Sequence, residues 1–376
     1  MKTSSQWYSA KITGRAKQTG LLKLTKSYCK VNEYPLVSII IPCRNEQDFI
    51  ADCLDSVITQ DYPKDKLEAL VIDGMSEDRT RGIVDEYAKP YPSIRILDNQ
   101  KKITPSALNI GIKYSKGEII AIIGSHSTCK KDYISKCVGY LLNEDADNIG
   151  GICKILPQNN GLTAKSIAYA LSSFFGAGNA YHRIGTKKPR YVDNLFGGCY
   201  KKELFDKIGF FDEDLLRGQD AEFNARLIKN GGKILLVPSI VLQYYARGSL
   251  EKLWRMELQY GYFKPLVARK IGSIFTLRQI VPPLFVGSLI ISLILSMLSN
   301  YFLWLLLFIS GSYVIANLGF SLKISFKKEG KCFFLLPFVF AIIHFGWGIG
   351  YLKGVLDFIV FDKSKMEKIK DTPITR

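Results

Sequence analysis

The sequence lacks the patterns that define several common classes of protein. Glycine and proline recur at no fixed period, and hydrophobic residues make up 47% of the 376 residues, which excludes collagen-like and intrinsically disordered chains. The eight cysteines form no CxxC or other paired spacing, which favours reduced thiols in a cytosolic soluble part. Residues 1–20 are basic and contain no apolar stretch of signal-peptide length, so they predict a basic arm instead.

Acidic residues are scarce relative to basic ones, and the imbalance is confined to a few segments. The formal net charge is +17. Four segments contain 23 of the 51 Lys and Arg but only 7 of the 34 Asp and Glu, and they are residues 1–35, 245–278, 321–332 and 362–376. These segments flank strongly apolar ones, while the rest of the chain is nearly neutral. The charge therefore predicts contact with an anionic membrane surface and no nucleic-acid partner.

Three apolar runs contain no charged residue, and they are residues 280–298, 301–322 and 333–352. Each is about 20 residues long, which is the length of a helix that crosses the hydrocarbon core of a bilayer. They predict a multi-pass protein of the cell membrane whose soluble part faces the cytoplasm. The third run could span the membrane or re-enter it, because spanning would place the basic tail outside, against the positive-inside rule.

Short apolar strands alternate with helical patterns in the first two thirds of the chain. Strands are predicted at residues 37–41, 67–72, 94–97 and 118–123, with Pro42 ending the first. Helical stretches of 10–15 residues between strands indicate βαβ units and a mainly parallel sheet. Ligands of such sheets bind beyond the carboxyl ends of the strands. This rule selects three loops, at residues 42–46, 73–78 and 124–128.

These loops contain side chains that suit a nucleotide. Asn45 and Glu46 could bond a base edge, although Asn45 could equally be a helix N-cap. Asp73 comes too early to cap a helix and suits a base or ribose, whereas Ser76 is as well explained by capping. His126 follows the fourth strand, where a cation would meet a diphosphate, and histidine can ligate Mn²⁺. A lone histidine is more often structural, so only its position after the fourth strand favours metal binding by His126.

Four segments carry recognisable motifs in a fixed order. PLVSIIIPCRNE is followed by LVIDGMSEDRT, then by LNIGIKYSKGEIIAIIGSH, and later by GGCYKKELFDKIGFFDEDLLRGQDAEFNARLIKNGG. Over about residues 35–247 this order and spacing resemble the inverting family 2 glycosyltransferases, and most of all the membrane-anchored transferases of succinoglycan and other exopolysaccharide biosynthesis. The resemblance implies an α/β GT-A fold, in which a Rossmann-like mixed sheet has helices on both faces and is followed by C-terminal transmembrane helices.

The resemblance also implies a role for each matching residue. The nucleotide sugar would be bound by Pro42, Arg44, Asn45, Glu46, Asp73, Ser76, Asn109, Gly111 and Ser125, of which Asn109 and Gly111 could instead be helix packing. Asp220 matches the general base, with Gln219 and Arg226 supporting the acceptor or the phosphates. His126 matches the metal ligand, which implies Mn²⁺ or Mg²⁺ as a cofactor. Without the resemblance, Asp220 would be a first-turn carboxylate favoured by the helix dipole.

Two motifs depart from the family pattern. Gly124-Ser125-His126 stands in place of DxD, and Gln219-Asp220 stands in place of an acidic pair. A catalytically silent scaffold of the same fold is therefore an alternative, and a small transporter with a cytosolic domain is a less favoured one. Residues 259–263 lack the QxxRW motif of processive synthases. The expected reaction is inverting transfer of one sugar from a UDP-sugar, or a related nucleotide sugar, to a glycan or polyprenyl-linked acceptor.

The sequence predicts five regions in chain order. They are a basic arm (1–35), a GT-A domain (36–245), interfacial amphipathic helices (246–279), a transmembrane region of about three helices (280–361) and a basic tail (362–376). Aromatic and basic side chains alternate in the third region, as they do in helices that lie in a membrane interface. A basic loop that contains Arg183 is either a solvated surface or a contact for the phosphates of a lipid-linked acceptor.

Overall fold

The structure is a computed structural model that describes residues 34–272 and 276–362, and in these residues a nine-stranded mixed sheet lies at the centre of the soluble part. The strands are β1 (Val37–Cys43), β2 (Leu67–Asp73), β3 (Ile94–Asp98), β4 (Ile119–Ile122), β5 (Ser127–Cys129), β6 (Asn148–Pro157), β7 (Arg190–Tyr191), β8 (Gly198–Lys201) and β9 (Ile234–Ala246). The predicted basic arm, up to residue 33, and the basic tail, from residue 363, lie outside the described residues.

The sheet is parallel in its first half and mixed in its second. Its strand order is β3-β2-β1-β4-β8-β6-β9-β5, and β7 pairs with β9. Strands β1 to β4 pair in parallel, whereas β8 runs antiparallel to β4 and β6. Because β1, β2 and β4 are parallel, the loops that follow them meet at one edge of the sheet. The three loops selected from the sequence are these loops.

Pro42 does not end the first strand, which corrects the prediction. β1 continues to Cys43, and Pro42 is in register with Ile72 of β2. Pairing between β1 and β4 ends at Ile40, whose carbonyl accepts from the N–H of Ile123. Along a strand, the N–H and C=O groups of successive residues point alternately to the two neighbouring strands. Pro42, two residues after Ile40, therefore faces the side of β4, where pairing has already ended. The N–H that proline lacks is therefore not needed by the ladder.

Helices cover both faces of this sheet. They are α1 (Ile50–Ile58), α2 (Thr80–Ala88), α3 (Thr104–Tyr114), α4 (Tyr133–Asn143), α5 (Leu162–Leu171), α6 (Phe174–Ala177), α7 (Tyr181–Ile184), α8 (Glu203–Ile208) and α9 (Gln219–Lys229). α1, α2 and α4 share one apolar core with the sheet, and α3, α8 and α9 share the core of the other face. Four apolar residues of α1 show why, because they recur at helical spacing and are buried: Ile50, Cys53, Leu54 and Val57.

Long helices complete the chain after the last strand. They are α10 (Leu250–Ile271), α11 (Leu277–Ser296), α12 (Asn300–Lys327) and α13 (Leu336–Val355). Three segments are long and apolar enough to cross a membrane, by length and composition: Arg278–Ser296, Asn300–Lys327 and Leu336–Val360. They correspond to the three apolar runs of the sequence, so the protein is membrane-associated. α10 packs on α9 and on the third of these segments.

Glycines bring α10 and α13 into direct backbone contact. A Cβ placed on Gly261 would overlap the carbonyl oxygen of Trp347, and one placed on Gly350 would overlap the carbonyl oxygen of Leu258. Such overlap is not tolerated, so these positions require glycine. The third apolar helix is thereby fixed to the helix that follows the soluble part.

Candidate active site

The loops after β1 and β2 are joined by their own polar groups. The N–H of Asn45 donates to Ser76 Oγ at 2.8 Å, and the N–H of Glu77 donates to Asn45 Oδ1 at 2.9 Å. Ser76 Oγ donates in turn to Asp73 Oδ1 at 2.5 Å. Asn45 is not an N-cap, since α1 is preceded by Phe49 in that position. Asn45, Asp73 and Ser76 therefore determine the shape of the two loops.

Asp73 is buried beneath these loops with a cationic partner. Its side chain has no exposed surface, and its Oδ2 lies 2.7 Å from Arg81 Nη1. The same Arg81 nitrogen lies 2.8 Å from Asp98 Oδ1, and its bonds to Asp98 and Asp73 raise the pKa of Arg81. A buried carboxylate requires such a partner. Asp73 is thus placed below the cavity wall formed by Gly74 and Arg44.

Arg44 offers an unused hydrogen-bond donor at this wall. A Cβ on Gly74 would lie 3.1 Å from Arg44 Cδ, so the arginine stem lies closely over the glycine. Arg44 Nε is buried and has no hydrogen-bond partner in the described part of the chain, while Nη2 lies 3.9 Å from Glu77 Oε1. A buried N–H without a partner is costly. It therefore suits a carbonyl or phosphate oxygen of a bound ligand.

His126 is oriented by a carboxylate from the first loop. Its Nδ1 lies 3.2 Å from Glu46 Oε1, and its ring meets Tyr244 edge-on with centroids 5.1 Å apart. Histidines that bind metals commonly place a carboxylate at one ring nitrogen and ligate through the other. Among residues 34–272 and 276–362, no group of three or more His, Cys, Asp or Glu could hold a metal ion. His126 Nε2 thus fits a site that ligand oxygens and water complete.

Asp220 lies in the first turn of α9, which begins directly after Gly218, whose φ is 80°. Asn194 Nδ2 donates to Asp220 Oδ2 at 3.3 Å. Asn194 Oδ1 in turn accepts from Asn224 Nδ2 at 2.5 Å, and Asn148 Nδ2 donates to Asn224 Oδ1 at 3.0 Å. Asn148 and Asn224 are fully buried. No motif in the sequence marks these three amides. Together they connect the exposed carboxylate of Asp220 to the protein core and fix its orientation.

Asn109 and Gly111, predicted near the diphosphate, lie in the packing of α3. Asn109 Nδ2 donates to the carbonyl of Phe211 and its Oδ1 accepts from the N–H of the same residue, both at 2.9 Å. A Cβ on Gly111 would lie 2.5 Å from Ile40 Cγ2, so glycine allows α3 to lie close to β1. Neither residue lines the cavity described below.

Arg226 is likewise used within the fold. Its Nη2 donates to Glu222 Oε2 and to the carbonyl of Phe210, each at 2.8 Å, and its Nη1 donates to the carbonyl of Ile208. The structure therefore separates Arg226 from Gln219, its predicted companion, which does face the cavity. The role of Arg226 is to fix α9 to the preceding loop.

A cavity of about 1130 Å³ joins the remaining predicted residues to the membrane helices. The predicted site residues that line it are Pro42, Arg44, Glu46, Ser125, His126, Gln219 and Asp220. It continues past Lys264 of α10 and Arg278 of α11 to Phe308 and Tyr313 of α12. The nucleotide loops, the candidate base and apolar membrane-type helices thus surround one space.

Burial shifts the ionisation of groups in the deeper part of this cavity. It raises the pKa of Glu257 to about 7, against a smaller opposing effect of Arg183. It lowers the pKa of His182 to about 3, assisted by the charges of Arg183 and Arg278, so His182 is neutral. Burial also lowers the pKa of Lys264. Burial in this region thus disfavours the charged form of each of these three groups.

Comparison with known proteins identifies the class to which this fold belongs. Residues 38–209 match the glycosyl transferase family 2 domain. A mannosyltransferase from Pyrobaculum calidifontis, solved in complex with GDP-Man and Mn²⁺, superposes with a TM-score of 0.53 at 18% identity, covering 86% of this chain and 88% of that one. The predicted GT-A fold is thereby confirmed.

Two relatives match most of the chain. A Methanococcus voltae protein named dolichyl N-acetyl-alpha-D-glucosaminyl phosphate 3-beta-D-2,3-diacetamido-2,3-dideoxy-beta-D-glucuronosyltransferase is 29% identical over 85% of this chain and 97% of its own. Succinoglycan biosynthesis protein ExoA of Rhizobium meliloti (strain 1021) is 26% identical over 85% and 95% respectively. The chain is a glycosyltransferase with a family 2 domain, as the motifs predicted.

Proposed function

We propose that the protein transfers a single sugar from a nucleotide-diphospho-sugar to a membrane-associated glycan or polyprenyl-linked acceptor, with inversion at the anomeric carbon. A UDP-sugar is the first donor to test. The observation that carries this proposal is the continuous cavity from the nucleotide loops, past Asp220, to the membrane helices. The names of the two relatives support it, since one names a dolichyl phosphate acceptor and the other a polysaccharide. The reaction takes place at the cytoplasmic face of the membrane.

The donor nucleotide lies against the loops after β1 and β2 in this proposal. Gly74 permits close approach of the ligand to the backbone, and the unpartnered Arg44 Nε is directed to an oxygen of the base or ribose. The polar groups of Asn45, Asp73 and Ser76 bond one another, so these residues affect donor binding by fixing the shape of the two loops. Ser125 lies beside the diphosphate.

A divalent cation, when bound, neutralises the charge that develops on the nucleoside diphosphate. His126 is the residue that would hold it, through the ring nitrogen that does not face Glu46. Histidine is a better ligand for Mn²⁺ than for Mg²⁺. Glu46 is then a positioning residue that fixes the ring of His126.

Asp220 is the proposed general base. The acceptor hydroxyl attacks the anomeric carbon from the face opposite the diphosphate, and its proton passes to an Asp220 oxygen. The bond between the anomeric carbon and the diphosphate oxygen breaks, and the nucleoside diphosphate leaves with the bonding electrons. Asp220 suits this role because its carboxylate is exposed to the cavity while Asn194 holds one oxygen.

The test is nucleotide release by the full-length protein in nanodiscs from a panel of sugar nucleotides, with Mn²⁺, Mg²⁺ or EDTA. Asp220→Asn should reduce release at least 100-fold, since general-base catalysis contributes about 10²–10⁴ in rate. Asp206→Asn is the matched control, because Asp206 is an exposed first-turn carboxylate on α8 that does not line the cavity.

The outcomes separate the alternatives. Release from one donor, lost with Asp220→Asn and kept with Asp206→Asn, supports the proposal and names the donor. Release that EDTA does not affect contradicts the metal assignment of His126. If no sugar nucleotide binds or is cleaved, also with membrane lipids added, the chain is the silent scaffold and the proposal is wrong.

A further inference from the structure

We propose that the part of the cavity between Asp220 and the membrane helices binds the phosphate groups of a polyprenyl phosphate or diphosphate acceptor, through Arg183 and Lys264. The inference rests on the proposed transfer reaction and names the acceptor class for the same site. Four observations carry it. They are the position of Lys264, the lack of salt bridges to the two cations, the shortage of carboxylates that could balance their charge, and the apolar wall of the cavity beyond them.

Lys264 is placed next to the proposed base by helix packing. A Cβ on Gly218, two residues before Asp220, would lie 3.1 Å from Val267 Cγ2 of α10. Lys264 precedes Val267 by three residues, so the two share one face of the helix. Lys264 lines the cavity, and the charge of Asp220 reaches its ammonium group. A phosphate bound by Lys264 is therefore close to Asp220, which would deprotonate a hydroxyl of the sugar that this phosphate carries.

Arg183 and Lys264 are cations that form no salt bridge within the described part of the chain. Both line the cavity, and neither makes a side-chain hydrogen bond or salt bridge to another residue in the described ranges. Their neighbour Arg278 differs, because its Nη2 lies 2.6 Å from Asp193 Oδ2 and its Nη1 donates to Asn179 at 3.0 Å. Both cations are half-buried, and partial removal of a charge from water without a partner is costly. A bound dianion would supply the missing interaction for Arg183 and Lys264.

The carboxylates of this region do not compensate the two cations. Asp193 is paired with Arg278. Glu257 is buried near Arg183, and burial raises its pKa to about 7, so it carries only part of a charge at neutral pH. Among the described residues around Lys264 and Arg183 this leaves Asp220, and one carboxylate does not balance two cations.

The direction of the cavity distinguishes an acceptor phosphate from the diphosphate of the donor. The donor loops and His126 lie at the carboxyl edge of the sheet, whereas Lys264 and Arg183 are followed by apolar side chains of α11 and α12. These include Pro282, Phe285, Phe308 and Tyr313, which line the same cavity. A polyprenyl chain fits such a wall, and its phosphate then lies at the cations.

The experiment measures binding to the full-length protein in phosphatidylcholine nanodiscs, with undecaprenyl diphosphate, undecaprenol, UDP and GDP as probes. We expect the diphosphate to bind at least tenfold more tightly than undecaprenol, because a charge-assisted hydrogen bond is about twice as strong as a neutral one. Lys264→Gln and Arg183→Gln should each weaken diphosphate binding about tenfold and change nucleotide binding less than twofold. Lys252→Gln, an exposed lysine on the same helix, should change nothing.

Three results would overturn the proposal. They are equal binding of undecaprenol and its diphosphate, unchanged diphosphate binding in both variants, and a loss of UDP or GDP binding as large as that of the diphosphate, which would assign the cations to the donor. Lys264→Met keeps the buried stem without the charge, and it replaces Lys264→Gln if that variant does not fold. The protein could also bind the diphosphate through both cations and yet cleave no donor. That result would support the phosphate site and contradict only the proposed transfer reaction.

Discussion

The side-chain amide of Asn194 donates to Asp220 Oδ2 at 3.3 Å, while the preceding residue, Asp193, pairs with Arg278 at 2.6 Å. Arg278 begins the first segment that is long and apolar enough to cross a membrane. Two consecutive residues of one loop therefore connect the proposed base to the first membrane helix. The loop itself lies outside every motif by which the sequence resembles its family.

The first prediction concerns the amide that holds Asp220. Asn194→Asp keeps the oxygen that accepts from Asn224 but replaces the donor with a carboxylate that repels Asp220. We expect kcat for transfer to fall about tenfold or more, since a hydrogen bond to a charged group is worth about 1.5–3 kcal/mol. Nucleotide binding and the thermal unfolding midpoint should not change. Asn143→Asp, at the end of α4, is the control, and an equal loss there would refute a role in positioning.

The second prediction concerns the orientation of His126. Glu46→Gln weakens the interaction at Nδ1, and loss of such a partner commonly reduces metal affinity about 10–100-fold. The Mn²⁺ concentration that gives half-maximal nucleotide release should rise about tenfold, while the maximal rate at saturating Mn²⁺ is retained. Titration with Mn²⁺ measures both quantities. An unchanged half-maximal concentration would show that Glu46 does not act through the metal.

The third prediction is a pH dependence of stability that arises from Glu257. Its pKa is about 7 in the folded protein, above an ordinary value of 4.5, because the side chain is buried. The folded state therefore binds more protons than the unfolded state between these values, and raising the pH through this window destabilises the protein. Glu257→Gln removes a penalty of about 3 kcal/mol at pH 8 and none at pH 4.

Thermal unfolding of the wild type and of Glu257→Gln across this pH range measures the effect. The difference between the two midpoints should increase from pH 4.5 to pH 7 and then stay constant. Glu251→Gln, an exposed position on the same helix, should give no such change. A constant difference for Glu257→Gln at all pH values would mean that folding does not raise the pKa of Glu257.

The fourth prediction tests the contact between α10 and α13. Gly350→Ala places a methyl group on the backbone of Leu258, and overpacking of this kind costs about 1–3 kcal/mol. Gly319→Ala, on α12, meets no atom within 4 Å and should be neutral or slightly stabilising, because alanine is the better helix former. Unfolding midpoints in detergent compare the two variants. Equal midpoints would show that the helices are not in contact in the folded protein.

Local patterns were sufficient to predict the elements that position the site. The buried strands and amphipathic helices around Asp73 and His126 follow from the periodicity of their apolar residues, and the resemblance supplied the family and fold. The end of β1 was mistaken because the effect of Pro42 depends on which neighbour its backbone faces. That neighbour, β4, lies about 80 residues further along the chain, beyond the reach of any local rule.

The chemistry of the site was less accessible from sequence, since it depends on contacts between distant residues. Nothing in the sequence around Arg81 shows that it neutralises Asp73, and nothing around Asn194 shows that it faces Asp220. Asn109 and Arg226 carry the polar groups expected of a binding site, yet each satisfies the backbone of a neighbouring loop. Residue type and spacing suggest which groups can bind, whereas packing decides which of them face the cavity.

The close contact between α10 and α13 has a consequence for the medium in which the enzyme works. α10 presents Lys264 and Glu257 to the cavity, and it meets α13 through the glycine positions Gly261 and Gly350 with no side chain between them. The tilt of a membrane helix follows the thickness of the surrounding hydrocarbon. We therefore expect a change in the tilt of α13 to move the wall of the cavity, and the acyl-chain length of the bilayer to alter the rate of sugar transfer.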